Sequence, residues 1–226
     1  MPSIKHSAKR RKKLNDMVKT KTRAILFDLD GVLVDAPQWH REAFDEALKF
    51  VGAAPLTDIE HEKTFNGLST KRKLEILAND GRVDRTQISR IEELKRGFTT
   101  DLIVNNCKPF KRIRDVVFWL YSHNFKTGVV TNCSLQSCHL MLKLSGLIGC
   151  WHTCITNEDV DGFIKPHPAP YNMAVRETSY FPELALAIDD SHHGIESARA
   201  ARIGKIWHLE NFSDLTLKNM KARLEG

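Results

Sequence analysis

The sequence predicts an α/β protein: a doubly wound parallel-sheet core with a small α-helical module inserted after its first strand. Three observations carry that expectation. From Pro109 onward, short apolar runs alternate with segments of helical periodicity, and such alternation implies parallel strands joined by right-handed crossovers. Residues 57–105 break the rhythm, with helical spacing and few strand signals. Polar residues follow four of the apolar runs, on the rim where an open sheet of this class carries its ligand site.

The elements follow in order. "RAILFDLDG" reads as a buried strand closed by a glycine turn, and "QWHREAFDEALKFVG" as a helix. In that helix Trp39, Ala43, Phe44, Ala47, Leu48 and Val51 share a face and Gly52 ends it. "TDIEHEKTF", "STKRKLEILAND" and "TQISRIEELKRGFTTDLIVNN" read as helical, with a turn at "NDGRVDR". Then come the helix "IRDVVFWLYSHN", the strand "KTGVVTN", the helix "SLQSCHLMLKLSGL" and the strand "CWHTCIT". "HPAPYNMAVRETS" is a helix entered through prolines, "ELALAID" a strand, "GIESARAARIG" a helix and "KIWHL" the last strand. No internal repeat is visible. The expected division is a basic tail over 1–22, a core from 23–36 and 106–226, and the inserted helical module over 37–105.

At 226 residues, 42% hydrophobic and 27% charged, the chain has the composition of an ordinary globular protein. No apolar run approaches the roughly 18 residues that span a membrane. The basic N-terminus has no apolar stretch behind it, so it does not read as a secretory signal. The formal charge of +6 is unevenly placed. Residues 1–23 hold nine Lys/Arg against the single acidic residue Asp16, whereas the rest holds 25 against 27 Asp/Glu. The run "KRRKK" at 9–13 repels itself and reads as a solvated segment. The tail 5–23 is therefore either a contact for nucleic acid or another polyanion, a nuclear import signal among them, or a solubilising extension. Five cysteines, an odd number, do not suggest a disulfide scaffold, which points to a reducing, cytoplasmic setting. Cys133, Cys138, Cys150 and Cys154 with His139 and His152 can be drawn as a zinc cluster; the alternative is plain buried thiols. A monomer or weak dimer is expected.

The chemistry sits at the strand ends. Asp28, Asp30 and Gly31 follow the first strand, Thr131 and Asn132 the second, Lys165 the third, and Asp189, Asp190 and Ser191 the fourth. Two aspartates directly after a buried strand repel unless something positive sits between them. Several carboxylates at one point make a hard-cation site, and Mg²⁺ prefers a few carboxylates plus waters and a substrate phosphate. Lys165 and the Thr131 hydroxyl would complete an anion cradle suited to phosphoryl transfer. One carboxylate can act as nucleophile and another, two residues on, as general acid and base.

These residues fall in four ordered motifs, "FDLDGVLVD", "VVTN", "KPHPAPY" and "AIDDSHHGIESA". Together they resemble the haloacid dehalogenase superfamily from about residue 24 to 210, and the insertion resembles that family's helical cap. The resemblance implies Asp28 as nucleophile, Asp30 as general acid/base, and Thr131 and Lys165 as phosphoryl binders. It implies Mg²⁺ held by Asp28, Asp190 and the Asp30 carbonyl, with Asp189 assisting. Asp30 argues for phosphate chemistry, because the family's dehalogenases lack that second aspartate.

A cap that excludes water would choose the substrate. His40 stands where β-phosphoglucomutases carry a histidine that handles a sugar hydroxyl proton; a hinge histidine is the alternative. "FNGLSTKRKLEIL" resembles a cap segment of the family and nominates Gly67, Ser69, Thr70 and Lys71 as substrate contacts, beside Gly31 and Asn132 in the core. The mutases carry a phosphate-gripping arginine where this chain has Thr70. The resulting expectation is a Mg²⁺-dependent phosphatase for a small phosphorylated metabolite, sugar phosphates favoured, working through an aspartyl-phosphate. The alternatives are a β-phosphoglucomutase-type mutase, a nucleic-acid end phosphatase and an inactive binding protein.

Overall fold

Five short strands make one parallel sheet in the order β3-β2-β1-β4-β5. They are β1 Ala24–Phe27, β2 Lys126–Val130, β3 Thr153–Ile155, β4 Ala185–Asp189 and β5 Lys205–His208. The computed structural model describes residues 22–65 and 68–225. The basic run at 9–13 and Gly67 lie outside them. The chain winds outward from β1 through β2 to β3, then returns past β1 to β4 and β5. The winding reverses between β1 and β4, which opens a crevice at their carboxyl ends. All four residues of β1, Ala-Ile-Leu-Phe, are buried, as a central strand covered on both faces requires.

Register decides what meets at that crevice. Phe27 pairs with Ile188, and the Asp28 amide donates to the Ile188 carbonyl at 2.8 Å. Asp28 and Asp189 are therefore the next residues out on adjacent strands. On the other side Phe27 pairs with Val129, so Thr131 leaves the sheet close behind.

Helices α4 Lys111–Ser122, α5 Leu135–Leu144, α6 Ala169–Thr178, α7 His192–Ala200 and α8 Leu217–Glu225 belong to this unit. α4 buries Ile113, Val116, Val117 and Leu120, one stripe at helical spacing. α6 buries Tyr171, Ala174 and Val175 in one cluster with Leu26, Val130, Ile155 and Ala187. Ser134 and Ser191 cap α5 and α7, each side chain accepting an amide from the first turn. Two details differ from the sequence expectation. The strand of "CWHTCIT" shrinks to three residues that begin after Cys150. Helix α8 lies beyond the last element read in the sequence; it packs against α4, with Met220 its one buried residue.

Asp35–Lys108 forms a second compact unit. It contains α1 Pro37–Phe50, a π-helical turn Glu60–Thr64, α2 Thr70–Asn79 and α3 Ile88–Asn106. Its core gathers Phe44, Ala47, Leu48, Phe65, Leu74, Leu77 and Ile91. Among the described residues no helix is long and apolar enough to cross a membrane.

Leu74 is fully buried in that core, whereas Leu135 on α5 is half exposed. Leu74→Ala is expected to cost about 2–5 kcal/mol of unfolding free energy, and Leu135→Ala within about 0.5 kcal/mol of zero. Urea denaturation of both variants checks this; equal losses would contradict the packing described.

Candidate active site

The chain leaves β1 at Asp28 and turns at once. The Gly31 amide donates to Val34 at 2.7 Å, and Leu33 and Val34 both donate to the Leu29 carbonyl. Gly31 has φ +83°, and a Cβ there would overlap the Asp190 carboxylate. Glycine is needed on both counts. Its place in the site is to let two strand-end loops approach.

Lys165 is the centre of the arrangement. Its ammonium donates to Asp28 Oδ1 at 2.6 Å and to Asp189 Oδ2 at 2.7 Å. Its side chain is only 3% exposed. Asn132 holds the lysine's backbone: Oδ1 accepts the Lys165 amide at 3.0 Å, and Nδ2 donates to the Lys165 carbonyl at 3.1 Å. Asn132, nominated as a substrate contact, makes one hydrogen bond from each end of its amide to the Lys165 backbone. It positions the lysine.

Asp189 is saturated. Oδ2 accepts from Lys165 and from the Tyr171 hydroxyl at 3.0 Å. Oδ1 accepts from the Ser191 amide at 3.0 Å and the Ser191 hydroxyl at 2.7 Å. Gly194 on α7 makes room for it, since a Cβ there would overlap the same carboxylate. By contrast, Asp28 Oδ2 has no hydrogen-bond donor among the described residues. Nor has the Asp190 carboxylate, apart from its own backbone amide.

The electrostatics follow from four aspartates facing one lysine. Burial pushes the Asp28 carboxyl well above its usual range; Lys165 opposes this, while Asp189, Asp30 and Asp190 add to it. Burial, then Asp189, pushes Asp190 from 3.8 up to about 6. Burial disfavours the Lys165 ammonium, yet Asp189 and Asp28 outweigh it and hold its pKa well above normal. Burial also raises Tyr171, so its hydroxyl stays a donor. The cluster is short of positive charge.

Asp28, Asp189 and Asp190 each offer an oxygen within 4.8 Å of the others. Hard oxygen donors short of positive charge fit a small divalent cation. The hydrogen bonds sort the three: Asp28 and Asp190 keep unused lone pairs for an ion, and on Asp28 the singly bonded Oδ1 retains one beside the free Oδ2, whereas Asp189 has none. Among the described residues this is the only group of three or more His, Cys, Asp or Glu close enough to share an ion. The cysteine–histidine cluster does not assemble. Cys138 and Cys154 approach to 3.2 Å, but His139 is exposed, and His152 accepts the Thr127 amide. The cysteines are free thiols.

A family model described as haloacid dehalogenase-like hydrolase matches residues 25–207. The chain belongs to that family. It is an enzyme, a hydrolase of the phosphatase kind. Pyrophosphatase PpaX of Oceanobacillus iheyensis is 30% identical over 194 residues, covering 80% of each chain. The structure of CbbY from Rhodobacter sphaeroides in complex with phosphate superposes with a TM-score of 0.76 at 22% identity, covering 88% of this chain and 99% of that one. β-Phosphoglucomutase from Clostridium difficile gives 0.73 at 21% identity, covering 90% and 97%. At those identities the two structures speak for the fold.

The remaining candidates are placed as follows. Thr131 is buried one residue beyond β2, its hydroxyl accepting the Cys133 amide at 3.1 Å. Asp30 is half buried and bridges to Val34. His40 lies on α1 with Nδ1 3.3 Å from Lys95 Nζ. Ser69, expected to meet substrate, caps α2 by accepting the Arg72 amide at 3.2 Å. Thr70 and Lys71 begin that helix. The site residue missed in the sequence is Tyr171. Its signal was a hydroxyl at the most buried position of a helical stripe, where a partner is obligatory.

A group whose folded pKa is raised holds its proton to higher pH than in the unfolded chain. Its ionisation therefore removes stability as pH rises between the two values. For Asp190 that window runs from 3.8 to about 6. With a chelator present, Asp190→Asn is expected to gain stability relative to the unsubstituted protein as pH rises from about 4 to about 7. Melting curves across that range check it; a constant difference would mean that Asp190 is not strained by its neighbours.

Proposed function

We propose that the protein is a Mg²⁺-dependent phosphatase of a small phosphorylated metabolite, with Asp28 as nucleophile. The observation that carries this reading is the asymmetry of Asp28: Lys165 holds Oδ1, and Oδ2 is left with a free lone pair. The relatives' names, a pyrophosphatase and a protein in complex with phosphate, support phosphoryl chemistry.

Lys165 orients the Asp28 carboxylate and favours its charged form, so Oδ2 can attack phosphorus in line with the leaving oxygen. Asp30, two residues on, donates a proton to that oxygen. Later it takes a proton from the water that opens the aspartyl-phosphate. Thr131 and the Lys165 ammonium bind phosphoryl oxygens. Asp28, Asp190 and the Asp30 carbonyl would hold Mg²⁺, which when bound supplies the positive charge that four carboxylates and a phosphoryl group require. Asp189 acts through Lys165 and Ser191, because its own oxygens are saturated.

Sugar phosphates remain the favoured substrates. The 30% identical pyrophosphatase favours inorganic pyrophosphate as a second reading. Thr70 in place of a phosphate-gripping arginine weakens the mutase reading.

Hydrolysis of p-nitrophenyl phosphate tests the reading. Activity is expected with Mg²⁺ and not with a chelator. Asp28→Asn is expected to abolish it, and Asp30→Asn to slow it by about 10²–10⁴-fold. Near-normal turnover by Asp28→Asn would overturn the nucleophile assignment. Parallel assays with sugar phosphates and pyrophosphate separate the two substrate readings.

A further inference from the structure

The fold sorts the five cysteines, Cys107, Cys133, Cys138, Cys150 and Cys154. Cys138 is fully buried on α5. Cys154 is the middle residue of β3 and is partly exposed. Their sulfurs stand 3.2 Å apart, whereas a disulfide needs about 2.05 Å. A closure of about 1 Å therefore joins them. Cys133 also reaches the Cys138 thiol, but its own S–H donates to the Ser134 carbonyl at 3.5 Å. The Cys150 S–H faces the Ile148 carbonyl at 4.0 Å.

The two members of the pair are chemically unequal. Hydrogen bonds with Cys133 and Cys154, then burial, push the Cys138 thiol well above the usual thiol range, so it keeps its proton. That S–H bonds to Cys154 and lowers its pKa, against burial, Asp159 and Glu177. The thiolate is the nucleophile of cysteine chemistry, so the more accessible sulfur is also the more reactive. Neither thiol takes part in the phosphoryl site. β3 nevertheless touches that site, because the Ile155 carbonyl accepts the Thr131 amide at 2.9 Å.

We propose that Cys154 and Cys138 form an oxidisable dithiol site that takes a hydroperoxide, with Cys154 the attacking sulfur and Cys138 the resolving one. The Cys154 thiolate attacks a peroxide oxygen: an S–O bond forms, the O–O bond breaks, and the departing oxygen takes up a proton. Cys154 is then a sulfenic acid. The Cys138 sulfur attacks the Cys154 sulfur: the S–S bond forms, the S–O bond breaks, and the hydroxyl leaves with the Cys138 proton as water. The two sulfurs together give up two electrons and the peroxide accepts them. A thiol reductant reverses the step by exchange. The bond would tie α5 to β3, next to the strand end that carries Thr131.

The test treats the reduced full-length protein with an equimolar amount of hydrogen peroxide, alkylates the remaining thiols and maps the peptides by mass spectrometry. The expected product has lost two hydrogens, about 2 Da, carries one bridge between Cys138 and Cys154, and returns to the dithiol with dithiothreitol. Cys138→Ala removes the resolving sulfur, so oxidation is expected to stop at the Cys154 sulfenic acid, which dimedone captures. Should Cys138→Ala not fold, Cys138→Ser serves in its place, and the wild-type peptide map decides without either variant. Wild-type protein in which Cys138 and Cys154 both remain open to alkylation overturns the inference. So does a bridge made through Cys133 or any other pair. A dimedone adduct absent from Cys154 in the folded variant overturns the assignment of the attacking sulfur.

Discussion

The buried ammonium of Lys165, gripped between Asp28 and Asp189, is the interaction on which the rest of the site depends. Carboxylates on adjacent strands at the same register would repel in a dry crevice. One lysine between them lets β1 and β4 stay paired through Phe27 and Ile188, directly below the two carboxylates. Its position is set from three sides: Asn132 holds its backbone, and Tyr171 and Ser191 hold the aspartate it binds. Removing any of these leaves a buried charge or polar group without its partner, which is costly in a dry interior. The lysine nevertheless leaves the cluster short of positive charge, and the shortage falls on Asp28 and Asp190, whose pKa values are raised.

Two aspartates adjacent in sequence thereby take different parts. Asp189 is saturated by four hydrogen bonds and serves as a fixed anionic anchor. Asp190 is raised to about 6 and keeps its oxygens available. The division follows from where the chain leaves β4: Asp189 still belongs to the strand, and Asp190 is the first residue of the loop. Gly31 and Gly194 supply the space in which the two carboxylates lie.

Much of this was legible in the sequence because apolar runs that end in Asp, Thr or Lys mark strand ends, and strand ends converge. The burial of Ala24–Phe27 and the polar residues after it needed no structure. The partners of those residues were less visible. Asn132 looked like a substrate contact, because nothing in its spacing shows that Lys165, 33 residues on, passes within hydrogen-bond reach. Ser69 looked like one too, although a serine just before a helical stretch is as readily a cap. α8 was missed although Leu217, Met220 and Leu224 stand at helical spacing, a stripe of only three residues.

The central claim is that a divalent cation balances the charge that Lys165 leaves unbalanced. Calorimetric titration of Mg²⁺ at pH 6 in buffers of different ionisation enthalpy tests it most directly. Asp190, raised to about 6, is partly protonated there, so binding is expected to release protons, and Asp190→Asn to reduce that release. Mg²⁺ binding with no proton release, or release undiminished in Asp190→Asn, would contradict the account.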